Sequence, residues 1–322
     1  MPGIQSFRDF RARPFLKEQL MRPVKTGRIV HAQLFAGPGG VGKKTAALLL
    51  SRAINCASSL DKPCNLCPSC LQFLSGNSPR LILIEPKKNQ IKVETIRELI
   101  EKVHMRTDEG KLCVIIDEAE KMNENAQNAL LKTLEEAPDY VVFFLISEKP
   151  GVLLPTIRSR CAMFRFAPLS DGDVKQVLEE NGIDEIRAKE ASKISDGSIG
   201  LAFERLTDEN FRMLSERALS ALASVKKASD VAGAFQKIQA DKDHWTDILK
   251  IYEKLAGELM KINAGNSDEI DSQTQVFIKN KIDGAKLLMS VVDARKKLNS
   301  NVLYQSAMEI LFFDIVNQED NR

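Results

Sequence analysis

Three clusters in this 322-residue chain carry residue types and spacings that do chemistry elsewhere in proteins. The first is Gly37-Pro38-Gly39-Gly40-Val41-Gly42-Lys43-Lys44-Thr45, which fits the first seven places of the phosphate-loop pattern G-x-x-x-x-G-K-[ST]. Glycines let such a loop turn its N–H groups inward around a phosphate, and the dipole of the following helix adds to the attraction. Lys43 would reach the β and γ phosphates. The eighth place departs from the pattern: Lys44 stands where a Ser or Thr hydroxyl would hold Mg²⁺. Thr45 is adjacent, but one helical step turns a side chain about 100° away. ATP or ADP is therefore expected to bind with weak metal binding, and hydrolysis by this chain is expected to be weak or absent. The alternative is a glycine-rich turn with no ligand.

The second cluster closes the run Lys111-Leu-Cys-Val-Ile-Ile-Asp117-Glu118. An apolar strand ending in Asp-Glu resembles the Walker B pattern, in which the Asp orients Mg²⁺ and the Glu activates water. Carboxylates also cap helices, so this pair gains its meaning from the phosphate loop upstream. The third cluster is Cys56, Cys64, Cys67 and Cys70, spaced C-x7-C-x2-C-x2-C. Four thiolates on a short loop suit tetrahedral Zn²⁺ and leave no open position, which makes the site structural. An iron–sulfur cluster is the competing reading. Cys113 lies in an apolar strand and reads as core.

These clusters need a scaffold. Short apolar runs at Ala32–Ala36, Leu81–Ile84, Cys113–Ile116, Val141–Ile146 and Met163–Phe166 alternate with helical patterns such as Lys44–Asn55, Val93–His104 and Glu124–Glu136. That alternation predicts an α/β domain with a parallel sheet and helices on both faces, with the cysteine module inserted at 56–70. At Ala167-Pro168-Leu169-Ser170-Asp171 the pattern changes. Pro168 ends the last strand, and Ser170 or Asp171 can cap the next helix. The remainder reads as helical. Phe211, Leu214, Ala218, Leu219 and Leu222 follow helical spacing, as do Ile248, Ile251, Leu255 and Leu259. The domain reading is 1–167, 168–206 and 207–322, with a loop at Gly265–Asp268 and a frayed tail at Gln318–Arg322.

Composition narrows the function classes. With 43% apolar and 28% charged residues the chain reads as soluble and globular. Its 46 basic and 44 acidic residues leave a net charge of +2, so nothing attracts nucleic acid globally. One Trp and three Tyr argue against a base-stacking surface. No apolar run is long enough for a membrane, and the expected location is the cytoplasm. In that compartment six cysteines point to metal or buried thiols rather than disulfides. His31, His104 and His244 show no ligand spacing. Arg8, Arg11, Arg13, Lys17, Arg22, Lys25 and Arg28 form a basic N-terminal stretch that reads as a solvated face.

Ser159-Arg160-Cys161 makes the pattern specific. Together with Asn128-Ala-Leu-Leu-Lys-Thr-Leu-Glu-Glu136, the phosphate loop and the four cysteines, it resembles the bacterial clamp-loader ATPases of the AAA+ class. The resemblance implies an AAA+ domain, a small helical lid and an all-α C-terminal collar. It implies Arg160 as an arginine finger reaching a neighbour's ATP, and Ser147 as a sensor of the γ-phosphate. It also implies a hetero-pentamer with gamma/tau ATPase subunits and a delta subunit, acting on the sliding clamp (beta) and primer–template DNA. Within the family, Lys43-Lys44 departs from the motor's Lys-Thr, and Gly200 of Asp196-Gly-Ser-Ile-Gly200 stands where the motor's lid arginine would be. Leu81–Pro86 and Ile91–Arg97 also look like the delta-prime branch, and the long extension of tau is missing. The expectation is thus a delta-prime-type subunit, with a gamma/tau-type motor or a zinc-dependent DNA-binding protein as alternatives. No polymerase active site is visible in this chain.

Overall fold

In the computed structural model, residues 6–59, 61–105, 110–265 and 272–316 are described. The chain divides into two compact units, Met1–Ala202 and Phe203–Arg322.

The first unit is built on five parallel strands: β1 (Ala32–Ala36), β2 (Leu81–Ile84), β3 (Leu112–Ile116), β4 (Val141–Ser147) and β5 (Ala162–Arg165). Their order is β2-β3-β4-β1-β5. The inner strands β1, β3 and β4 are buried along their whole length, which is why they read as mainly apolar runs, with Gln33 and Ser147 as buried polar members. Edge strands β2 and β5 are partly exposed.

Successive residues on a strand point to opposite faces, and each face has its own core. Leu34, Val114, Phe143 and Leu145 pack with α4 (Val93–His104), α5 (Glu124–Glu135) and α6 (Pro155–Arg160), through Ile96, Leu130 and Ile157. Phe35, Ile115, Phe144 and Ile146 pack on the other face with α1 (Pro14–Thr26) and α2 (Lys43–Ile54), through Leu20, Ala47 and Leu50. Phe35 anchors this second core, with ring centroids 5.6, 5.5 and 5.1 Å from Phe144, Phe164 and Phe166. Each fully buried Leu, Ile or Phe contributes roughly 1.5–3 kcal/mol.

The helix starts follow capping chemistry. Asn123 accepts from the Ala126 N–H at 2.8 Å to open α5, and Ser170 accepts from the Asp173 N–H at 3.1 Å to open α7 (Asp171–Glu180). Between α2 and β2 lies the short α3 (Pro68–Leu74). After α7 come α8 (Glu185–Lys193) and α9 (Ile199–Thr207), and the boundary between units falls inside α9.

The second unit is helical among the described residues: α10 (Glu209–Ser224), α11 (Val231–Ile238), α12 (Trp245–Asn263), α13 (Ser272–Lys279), α14 (Gly284–Asn299) and α15 (Tyr304–Val316). Ile248, Ile251, Leu255 and Leu259 form the buried stripe of α12, as their spacing predicts. Helices α12 and α14 touch at Gly284, where an added Cβ would lie 2.6 Å from the Ala256 carbonyl. The Tyr252 hydroxyl, fully buried, donates to Ala218 O at 2.9 Å. The expected loop at Gly265–Asp268 lies outside the described residues from 266 on, as does the tail Gln318–Arg322. No described helix is long and apolar enough to cross a membrane.

A candidate nucleotide cleft and a candidate metal centre at the two ends of one helix

Both candidate sites are carried by α2. At its N-terminus the chain leaves β1 and turns through Gly40 (φ 67°) and Gly42 (φ 89°), left-handed conformations that glycine adopts without strain. Gly37 ties the loop to the sheet by donating its N–H to Ser147 O at 3.2 Å. Gly39 faces Glu148, whose carboxylate would be 2.6 Å from an added Cβ. The N-terminus of α9 sits on the same loop: the Gly200 N–H donates to Gly40 O at 3.1 Å. A Cβ on Gly40 would meet Ser198 Oγ at 2.0 Å, and one on Gly200 would lie 3.1 Å from Gly40 Cα. Glycine at 200 thus allows the backbones of α9 and the loop to approach each other closely.

The loop borders a cleft of about 350 Å³. Its lining includes the apolar Phe10 and Ile199 as well as Lys43, Lys44, Thr45 and Asp117. Glu118 and Ser147 complete the expected set in the same cleft. Lys43 is 6% exposed, and its ammonium donates to Gly37 O at 2.7 Å and to Pro38 O. Burial lowers its pKa, against the opposing pull of Glu148, Glu120 and Asp117. Ser147 is fully buried, and its hydroxyl accepts from the Lys149 N–H at 3.1 Å. Glu118 is exposed, with a left-handed backbone at φ 46°. Such a conformation costs a non-glycine residue roughly 1–2 kcal/mol. Its N–H donates to Asp117 Oδ1 at 3.1 Å.

Lys44 enters the cleft as a cation with its own partners. Its Nζ lies 3.1 Å from Asp117 Oδ2 and pairs as well with Glu85. Burial works to lower its pKa, but the hydrogen bonds it donates to Glu85 and Asp117 outweigh that, and the net shift is upward. The loop and the apolar lining fit a nucleotide: the glycines can cradle a phosphate, with the Lys43 ammonium held against the loop carbonyls. The donor set does not fit Mg²⁺, because position 44 offers an ammonium instead of an oxygen and that ammonium is already on Asp117.

Arg160 is the last residue of α6 and is not among the residues lining this cleft. Its side chain is 34% exposed, donates to Thr156 O at 2.9 Å and pairs with Glu135 at the end of α5.

The other end of α2 runs into the cysteine module. The sulfurs of Cys56, Cys64, Cys67 and Cys70 all lie within 4.8 Å of one another, arranged to hold a metal ion. Tetrahedral Zn–S bonds of about 2.3 Å place sulfurs about 3.8 Å apart, so four thiolates fit. Cys67 also caps α3, accepting from the Cys70 N–H at 3.5 Å. Amides of Cys64 and Cys67 donate to the sulfurs of Cys56 and Cys64 at 3.3 and 3.4 Å. Burial works to raise the Cys67 pKa, but the Ala57 and Cys70 amides and neighbouring thiols bring it down to about 6. Burial, joined by the Cys67 and Cys56 thiols and opposed by the Asn65 amide, pushes Cys70 up to about 12. Arg52, in the last turn of α2, faces Cys70 and Cys56 and offsets the negative charge of thiolates there.

Sequence reading missed Phe10, Arg11, Glu148 and Ile199 as lining of the cleft, and Glu85 as a partner of Lys44. Of the seven basic N-terminal residues taken as a solvated face, Arg11 lines the cleft and pairs with Glu180 of α7. No local motif marks these residues; a Glu placed right after an apolar strand, as Glu85 and Glu148 both are, is the one available signal.

The chain is similar in sequence to known proteins. The family described as "DNA polymerase III, delta subunit" matches residues 12–170. The DNA polymerase III delta-prime subunit of Bacillus subtilis is 30% identical over 317 residues, covering 92% of this chain and 94% of that protein. The tau subunit of Salmonella typhimurium is 36% identical over 213 residues, 64% of this chain and 33% of that longer protein. A DNA polymerase III gamma subunit-related protein from Thermotoga maritima superposes with a TM-score of 0.39 at 17% identity, covering 94% of this chain and 98% of that one. A relative matched at this identity along nearly its whole length settles the family: the chain belongs to the delta-prime subunits of bacterial DNA polymerase III and is a component of a clamp loader.

Proposed function

We propose that this chain is the stationary, finger-donating member of the loader. It holds a nucleotide without turning it over and offers Arg160 to the ATP site of a neighbouring gamma/tau subunit. The observation that carries this reading is the Lys44–Asp117 ion pair: the carboxylate a motor would use for Mg²⁺ is held by a lysine of the same chain. Arg160 supports it from the other side, since this guanidinium lies outside its own chain's cleft and is partly exposed. A planar guanidinium suits a transferring phosphoryl group across an interface.

In this reading, residues 168–206 act as a lid over the cleft and 207–322 as the collar of a hetero-pentamer with gamma/tau and delta subunits. The assembly works in the cytoplasm, placing the beta clamp on primed DNA. The cysteine centre holds structural Zn²⁺ and fixes the module after α2. The test is ATP hydrolysis by the reconstituted loader with clamp and primed DNA. Arg160→Ala should cut turnover at the neighbouring site by about a thousandfold or more, the usual worth of an arginine finger, while Lys43→Ala leaves total turnover nearly unchanged. Loss of a full site's share with Lys43→Ala would instead make this chain a motor.

A further inference from the structure

Strand register explains where Lys44 goes. Ile84 of β2 pairs with Ile116 of β3, so Glu85 and Asp117 leave the sheet side by side. The Asp117 N–H donates to Ile84 O at 2.9 Å, which fixes the two exits against each other. Adjacent carboxylates repel unless a cation lies between them. In a phosphate-loop site that cation is a divalent ion, bridging carboxylate and phosphate. Here Lys44, from the first turn of α2, reaches both carboxylates. The same turn supplies Lys43 to the cradle.

We propose that the Lys44 ammonium is the cleft's own tethered cation, standing where a divalent ion would, so that the cleft binds a nucleoside di- or triphosphate without Mg²⁺. This rests on the reading that the cleft takes a nucleotide. Three features of the structure support it. The ammonium is held by two carboxylates, so its position is set before any ligand arrives. Asp117 is engaged on both oxygens, by Lys44 on one and by the Glu118 N–H on the other. The exchange of hydroxyl for ammonium at position 44 removes an oxygen ligand and adds a positive charge in one step, the two changes such a replacement needs. A single charge in place of two also leaves the γ-phosphate less neutralised, which accords with a cleft that holds nucleotide and does not cleave it.

The experiment is binding of a fluorescent N-methylanthraniloyl-ADP to the purified full chain, in EDTA and in excess Mg²⁺. For the wild type the two Kd values should agree within about twofold, since no metal ligand position is open. In Lys44→Thr, which restores the hydroxyl and frees Asp117, Mg²⁺ should tighten binding by about tenfold or more. Tightening of the wild type by Mg²⁺ to that same extent overturns the proposal while leaving the cleft a nucleotide site. Indifference of both proteins to Mg²⁺ also overturns it, because something other than Lys44 would then set the independence. Absence of binding in either buffer overturns it together with nucleotide occupancy, and leaves the Arg160 reading to the turnover assay.

Discussion

The two ends of α2 carry two candidate sites built on opposite plans. At the C-terminal end, four like ligands gather from fifteen residues of sequence, and their sulfurs already lie within 4.8 Å of one another. Nothing there needs a distant part of the chain. At the N-terminal end, the loop is local but its charges come from everywhere: Glu85 after β2, Asp117 after β3, Glu148 after β4, and Arg11 from ahead of α1. The local set offers four like ligands, whereas in the dispersed one a lysine stands where the phosphate-loop pattern has a hydroxyl.

The largest effect that would break the comparison is at the cysteines. Replacing Cys67 and Cys70 together by Ser should abolish bound zinc, from one equivalent per chain to none by elemental analysis. The thermal midpoint should fall by about 10 °C, as a metal-closed module becomes loose. Zinc retained in that variant would end the Cys₄ assignment. Next is Lys43→Ala. It should weaken nucleotide binding by roughly tenfold to a hundredfold, the worth of one charge-assisted contact, with the zinc content unchanged. A shift in zinc content would mean the two ends of α2 are coupled.

A smaller effect is expected at Gly40. Alanine there must adopt φ 67° and place its methyl against Ser198 Oγ, so Gly40→Ala should cost about 1–3 kcal/mol in denaturant unfolding. Gly151→Ala, with open space around it, serves as the neutral control. An equal effect at both positions would show that the seat of α9 on the loop does not matter. The smallest effect concerns pH. The Lys44 pKa is raised in the folded chain, so its contribution is complete below the ordinary lysine value and is lost only as pH rises through the higher one. Metal-independent binding should therefore stay flat from about pH 7, where the nucleotide's terminal phosphate is ionised, to about pH 9, and a fall within that window would point to Lys43, whose pKa burial lowers.

What sequence made legible follows the same division. The phosphate loop, the Asp117-Glu118 end of β3 and the cysteine spacing are contiguous patterns, so each could be read where it stands. The parallel sheet was legible because β1, β3 and β4 are buried on both faces and leave short, mainly apolar runs. The partner of Lys44 was not, because it depends on β2 and β3 being neighbours in register. Helix α1 escaped notice with Pro14 at its start and Pro23 inside, and α3 is too short to show a period. Phe10 and Arg11 reach the cleft through tertiary packing alone. The departure at Lys44 was visible at once as a broken rule, but only the structure gave the lysine its two carboxylates.

The strand order bears on how the chain is made. β1 is the first strand to leave a ribosome, yet both of its neighbours, β4 and β5, are synthesised much later. Until they arrive, an apolar strand that ends up fully buried has nothing to pair with, and long-range parallel pairing is slow to form. The cysteine module has no such wait, since residues 56–70 contain all its ligands. Metal capture there can fix the far end of α2 on the nascent chain, a foothold already in place when the sheet closes over β1.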